Sequence, residues 1–168
     1  SEIVVHSMVD FFLLLKLAGA GDELQGIKRG VMEMADAIVI NKADGANKKM
    51  AKMARAEFSR ALHLYPPKAN EWSPKVLTCS STEKIGLEEI WQMILSFTHQ
   101  TQKNGYFTKN RQDQNKKWFE QAVEAQLHTH FYQHPKIKKA IAPLMRQIKT
   151  NRISSFRAAQ KLVDTYLD

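Results

Sequence analysis

The sequence predicts an α/β fold in which a parallel sheet with flanking helices is followed by an all-α extension. Three observations carry the prediction. Residues 8–98 read strand, helix, strand, helix, strand, helix, and that alternation implies parallel strands joined by right-handed crossovers. Beyond residue 113 the apolar residues recur only at helical spacing. Charge divides in a similar place. Residues 1–100 carry 12 Lys/Arg against 12 Asp/Glu, whereas residues 101–168 carry 13 against 5, which accounts for the whole net charge of +8. Two parts with different surfaces are therefore expected, residues 1–100 and residues 101–168.

The elements follow in order. Residues 1–7 are too short to assign. Residues 8–17 (MVDFFLLLKL) form a strongly apolar strand with one acid near its start. The loop AGAGDE comes next, and Asp22 can accept from the free N–H groups of a first helical turn. Leu24, Ile27, Val31 and Met34 then share one helical face, interrupted by Gly26 and Gly30. Residues 37–41 (AIVIN) are apolar and β-branched, as a strand buried on both faces should be. A helix over 46–64 places Met50, Met53, Ala54, Phe58, Ala61 and Leu62 on one side and stops before Pro66-Pro67. Residues 68–74 are a loop, and KVLTCS over 75–80 is a third strand. A helix over 86–97 turns Leu87, Ile90, Trp91, Ile94 and Phe97 inward. Residues 99–112 are polar, contain Asn104-Gly105, and read as the junction.

The extension is read as three helices. Residues 114–132 place Trp118, Phe119, Val123, Leu127 and Phe131 on their apolar positions. Pro135 suits a first helical position ahead of Ile137, Ile141, Leu144 and Ile148, with Pro143 predicting a kink. Ser154 is an N-cap candidate for a helix with Phe156, Ala159, Leu162, Val163 and Tyr166 inward.

Composition narrows the function classes. With 168 residues and 43% hydrophobic content, the chain can bury one core plus an appendage. No run of 18 apolar residues exists, so no transmembrane helix is expected. The start SEIVVHSMVD lacks a basic region ahead of an apolar core, so no signal peptide is expected. A single cysteine, Cys79, allows no internal disulfide and suits a reducing cytoplasm.

The strand over 37–41 runs into Asn41-Lys42-Ala43-Asp44-Gly45. That places polar side chains at the carboxyl edge of a parallel sheet, where ligands of open α/β folds bind. Asn-Lys-x-Asp is the guanine-reading motif of GTPases. Its chemistry fits: the Asp44 carboxylate can accept two parallel hydrogen bonds from the ring N–H and the exocyclic amine of guanine, a donor pair that adenine lacks. Lys42 can lay its alkyl stem along the base, and Asn41 can tie neighbouring loops together. Read alone, Asn, Asp and Gly are also ordinary turn residues. The next strand ends Cys79-Ser80-Ser81-Thr82. GTPases carry a second base-contacting loop there of the form Ser-Ala-x, whose backbone N–H meets guanine O6. Ser81 stands where alanine is usual and supplies the same N–H.

The stretches MVDFFLLL, GAGDELQGIKRGVMEMADAIVINKADG and VLTCSSTEKIGLEEIW resemble the MeaB/ArgK/MMAA GTPases, chaperones of cobalamin-dependent methylmalonyl-CoA mutase. The resemblance covers most of residues 1–98 and is weaker in the helical tail. It implies a P-loop GTPase fold, of which this chain is the C-terminal half, and a helical extension that forms a homodimer arm. It implies that Asn41, Lys42, Asp44, Ser80 and Ser81 hold the guanine of GTP or GDP. It also implies that Gly21, Asp22, Glu23, Gln25 and Lys28 belong to a mobile coupling segment, often called switch III, that links nucleotide state to the mutase. No G-x-x-x-x-G-K-[ST] occurs, so the phosphate loop and the Mg²⁺-binding hydroxyl are expected upstream, and the 168 residues alone are expected to hydrolyse no GTP. No catalytic residue and no metal ligand is assigned within the chain.

Other features carry less. His128, His130 and His134 include an i,i+4 pair, but no cysteine or carboxylate gathers beside them, and surface or packing roles are expected. Cys79 reads as a buried small residue and Met32, Met34, Met50 and Met53 as core. The basic tail, Lys136, Lys138, Lys139, Arg146, Lys149, Arg152 and Arg157, reads as a solvated helical face, and nucleic acid is not expected as a partner. A basic module for nucleic acid or an acidic protein is the alternative from another class. A transport-linked kinase or ATPase is a further alternative, without kinase motifs to support it.

Overall fold

The computed structural model describes residues 2–17 and 29–167, in two compact units, residues 1–114 and 115–168. The first unit is built on three parallel strands, β1 (Leu13–Leu17), β2 (Ala37–Asn41) and β3 (Lys75–Thr78), in the spatial order β1-β2-β3. Leu13 pairs with Ala37 and Leu17 with Asn41; Ala37 also pairs with Lys75 and Ile40 with Thr78. The helices are α1 (Glu2–His6), α2 (Arg29–Met34), α3 (Lys48–Leu62) and α4 (Leu87–Lys103), with α5 (Tyr106–Gln133) running on into the second unit. Among the described residues, no helix is long and apolar enough to cross a membrane.

The central strand explains the layering. Successive side chains of a strand point to opposite faces, and β2 is buried on both. Ile38 and Ile40 join Val31, Met32, Ala54 and Phe58 in one core. Ala37 and Val39 join Trp72, Ile90, Met93 and Phe97 in the other. Phe97 meets Trp72 and Phe11 edge to face, at centroid distances of 5.4 and 4.9 Å. The α/β class with a parallel sheet and a helical extension is thus the observed architecture.

Several boundaries differ from the sequence reading. The first strand is confined to Leu13–Leu17, because Phe12 already closes the Asp36 turn: its N–H donates to Asp36 Oδ2 at 2.8 Å. Residues 99–112 are not a loop. Helix α4 continues to Lys103, with Thr101 fully buried and its hydroxyl bonded back to the Phe97 carbonyl at 2.8 Å. The break is confined to Asn104-Gly105, where Gly105 takes φ +79°, and α5 starts at Tyr106. Met50 and Met53 face outward, at 44% and 56% exposure, because α3 buries Ala51, Ala54, Phe58 and Leu62 instead. Leu87 and Trp91 are exposed for the same reason, the inward stripe of α4 being Ile90, Met93, Phe97 and Thr101.

Gly30 lies in α2 with open space where a Cβ would stand. Gly30→Ala is expected to stabilise the protein by up to about 1 kcal/mol through helix propensity, read as a raised thermal unfolding midpoint.

The second unit contains the remainder of α5 with α6 (Pro135–Lys149) and α7 (Ser155–Leu167). Helices α6 and α7 pack on each other, with Ile137 and Ala158 buried. Pro135 occupies the start of α6, and Ser154 caps α7 by accepting from the Arg157 N–H at 3.3 Å. Helix α5 buries none of its residues. Trp118, Phe119 and Leu127 are exposed, and Phe156, expected inward, is 88% exposed.

Candidate guanine-binding loops

Strands β2 and β3 end side by side, so the loops that follow them meet at the carboxyl edge of the sheet. The Ala43 N–H donates to the Cys79 carbonyl, and the Cys79 N–H to the Ile40 carbonyl, both at 2.9 Å. The chain after β2 must then turn sharply. Lys42 does this with φ +59°, a conformation that a side chain disfavours, and its exposed side chain is left at the loop surface. Strain held at such a position is a common mark of a binding loop.

Asn41 is the hub. Its Oδ1 accepts from the Lys42 N–H at 2.7 Å, the Ser81 hydroxyl at 3.0 Å, the Ser81 N–H at 3.2 Å and the Cys79 thiol at 3.4 Å. One side chain therefore binds both loops. The Ser81 N–H, expected to be free for a base oxygen, is turned onto the Asn41 amide oxygen in this structure.

Asp44 is half-buried, and its Oδ2 accepts from the hydroxyl of the fully buried Ser80. The Ser80 oxygen in turn accepts from the Glu83 N–H at 3.0 Å. With its lone pair engaged from one side, the Ser80 proton is directed at Asp44. A carboxylate has about four acceptor sites, so Asp44 retains capacity for a bidentate donor pair. Cys79 is buried, and burial pushes its thiol pKa up, which keeps it neutral beside Asn41.

The second loop is closed by reciprocal backbone hydrogen bonds between Ser80 and Ile85, at 3.0 and 3.1 Å. Gly86 follows with φ +77°, and a Cβ there would stand 2.5 Å from the Thr78 carbonyl oxygen. Only glycine satisfies both demands. Gly86→Ala is expected to cost at least about 1–2 kcal/mol from the left-handed backbone alone, with the clash added. Gly45→Ala, at φ +48° in open space, should cost less. Comparing the two by thermal unfolding separates the clash from the backbone preference.

The structure therefore brings Asn41, Asp44, Ser80 and Ser81 together, with Lys42 exposed on the same loop. Gly21, Asp22, Glu23, Gln25 and Lys28 lie outside the described residues. Among the described residues no group of three His, Cys, Asp or Glu side chains is placed to hold a metal ion. Sequence reasoning missed Gly86 and the Asn41–Cys79 contact. The signal for Gly86 is a glycine at the head of the helix expected over 86–97.

A family model described as methylmalonyl-CoA mutase-associated GTPase MeaB matches residues 1–136. GTPase ArgK of Escherichia coli is 40% identical over 154 residues, 92% of this chain and 46% of that protein. A mitochondrial methylmalonic aciduria type A homolog of Mus musculus is 38% identical over 166 residues, 99% of this chain and 40% of its own length. The crystal structure of a LAO/AO transport system kinase matches with a TM-score of 0.72 at 35% identity, covering 99% of this chain and 53% of that one. The chain thus spans about half the length of the relatives it matches.

Proposed function

The chain belongs to the family of methylmalonyl-CoA mutase-associated GTPases, and on that premise we propose that it supplies the guanine-reading part of a GTPase. The observation that supports this reading is the pair of loops tied through Asn41, with the Asp44 carboxylate held by Ser80 at the carboxyl edge of the sheet. Asp44 would take the guanine ring N–H and exocyclic amine, and Lys42 would flank the base. The chain carries no G-x-x-x-x-G-K-[ST]. The phosphates and Mg²⁺ are therefore assigned to the part of the relatives' length that this chain does not span, and the chain alone would not hydrolyse GTP. Bound Mg²⁺ would supply charge neutralisation at the phosphates. What these residues do is bind and orient the base.

In the full protein, nucleotide binding and hydrolysis would gate cofactor delivery to, or protection of, a cobalamin-dependent methylmalonyl-CoA mutase. The family assignment supports that partner. The segment 21–28 would couple nucleotide state to it, and the exposed apolar residues of α5 and α7, Phe119, Leu127 and Phe156 among them, suit a homodimer arm. The test of the base reading is competition. With a fluorescent guanine nucleotide bound to the full-length protein, GDP should displace it at least about 100-fold better than ADP, the loss expected when a site built for a hydrogen-bonding donor pair meets a base without one. Equal displacement by ADP would remove the base assignment.

A further inference from the structure

We propose that the outward face of α6 is a docking surface for the phosphate backbone of nucleic acid. Between Glu124 and Asp164 the chain has no carboxylate side chain but eight cations: Lys136, Lys138, Lys139, Arg146, Lys149, Arg152, Arg157 and Lys161. All eight are exposed, and among the described residues none has a carboxylate partner; the ion pairs found there are Lys68–Asp36 and Arg111–Asp10. Lys138, Lys139, Arg146 and Lys149 fall within an arc of about 100° on the helix, at 3.6 residues per turn. The buried Ile137 and the half-buried Ile141, Leu144 and Ile148 hold the other side.

Helix stability does not account for this pattern. Arg146 and Lys149 suit the negative end of the helix dipole, but Lys136, Lys138 and Lys139 sit at its positive end, where a cation is unfavourable. Ion pairing does not account for it either. Lys116 and Lys117 of α5 have Glu120 four and three residues further on, and α6 contains no acid at all.

The chemistry of the face selects the partner. It spans about 16 Å from Lys138 to Lys149 at about 1.5 Å per residue, enough to follow several successive phosphates. The apolar side of α6 is turned into the packing with α7, so it is not available for insertion into a lipid surface. Nor does the cationic face present the aromatic anchor that protein partners commonly bury. Binding by charge alone, through counterion release, is the mode of a nucleic-acid backbone.

The test is fluorescence anisotropy of a labelled single-stranded RNA of about twenty nucleotides with the full-length protein. If four phosphates are neutralised at a slope of about 0.7 each, raising salt from about 50 to about 200 mM should weaken binding about 50-fold. The combined Lys138→Gln, Lys139→Gln, Arg146→Gln and Lys149→Gln variant should bind at least about tenfold more weakly and with a flatter salt slope. Lys116→Gln with Lys117→Gln should leave binding unchanged. The salt slope of the unaltered protein stands independently of any variant's folding. The proposal is overturned if RNA binding is absent, if the α5 variant loses as much, or if poly-glutamate or phosphatidylserine vesicles bind as tightly as RNA.

Discussion

Replacing Asp36 with alanine is expected to destabilise the protein by about 3–5 kcal/mol, the effect of breaking a buried ion pair from one side. Asp36 lies just before β2, at the opposite end of the sheet from the candidate base loops, and is 5% exposed. Its Oδ2 accepts from the Phe12 N–H at 2.8 Å, which sets the start of β1. Its Oδ1 accepts from Lys68 Nζ at 2.9 Å, and the same ammonium donates to the Met34 and Ala35 carbonyls, each at 2.8 Å. The Asp36 carbonyl also accepts from the Trp72 indole at 2.9 Å. Three segments therefore converge on the Asp36–Lys68 pair: the entry to β1, the end of α2 and the loop before β3. Alanine at 36 leaves a half-buried ammonium without its counter-charge and a buried N–H without an acceptor. Stability of a domain is about 5–15 kcal/mol in total, so the loss is a large share of it. Lys68→Met should cost less, since Asp36 keeps the Phe12 N–H. The double variant should cost less than the sum of the two, because they remove one shared interaction. Equilibrium unfolding of the four proteins measures this. A loss under about 1 kcal/mol for Asp36→Ala would place the pair among ordinary surface bridges.

This pair also shows where the sequence stopped being readable. Asp36 and Lys68 are 32 residues apart, and no periodicity or motif connects them. By contrast, AIVIN over 37–41 announced itself, because a strand buried on both faces must be apolar at every position, and Ile38 and Val39 do face different cores. The polar stretch after Phe97 misled for a physical reason. Gln, Thr and Lys are compatible with a helix, and α4 needs only Thr101 on its buried face to continue, its hydroxyl satisfied by the backbone. Met50 and Met53 misled because α3 presents a small-residue stripe, Ala51 and Ala54, to the sheet, where two long thioethers would not fit as closely. Of the candidate site, Asn41-Lys42-x-Asp44 was legible as a motif at a strand end. The convergence of Ser80 on Asp44 was legible only as an order of loops. The left-handed Lys42 and the close approach at Gly86 depend on how the two loops meet in the fold, which no local sequence pattern states.

In the proposed function, Asp44 reads the base. An ionised carboxylate accepts from both guanine donors, and each such charge-assisted hydrogen bond contributes about 1.5–3 kcal/mol. Asparagine keeps the shape but presents one acceptor and one donor. That pair matches xanthine, which has a ring N–H and, in place of the exocyclic amine, a carbonyl. Ser80, which holds Asp44 through its hydroxyl, can donate equally to an amide oxygen, so the loop should keep its geometry. The decisive measurement is the affinity of full-length Asp44→Asn for GTP and XTP, beside the unaltered protein. GTP affinity is expected to fall by at least about 100-fold while XTP affinity rises, so that the preference inverts. An Asp44→Asn protein that binds GTP as tightly as before, with no gain for XTP, would contradict it.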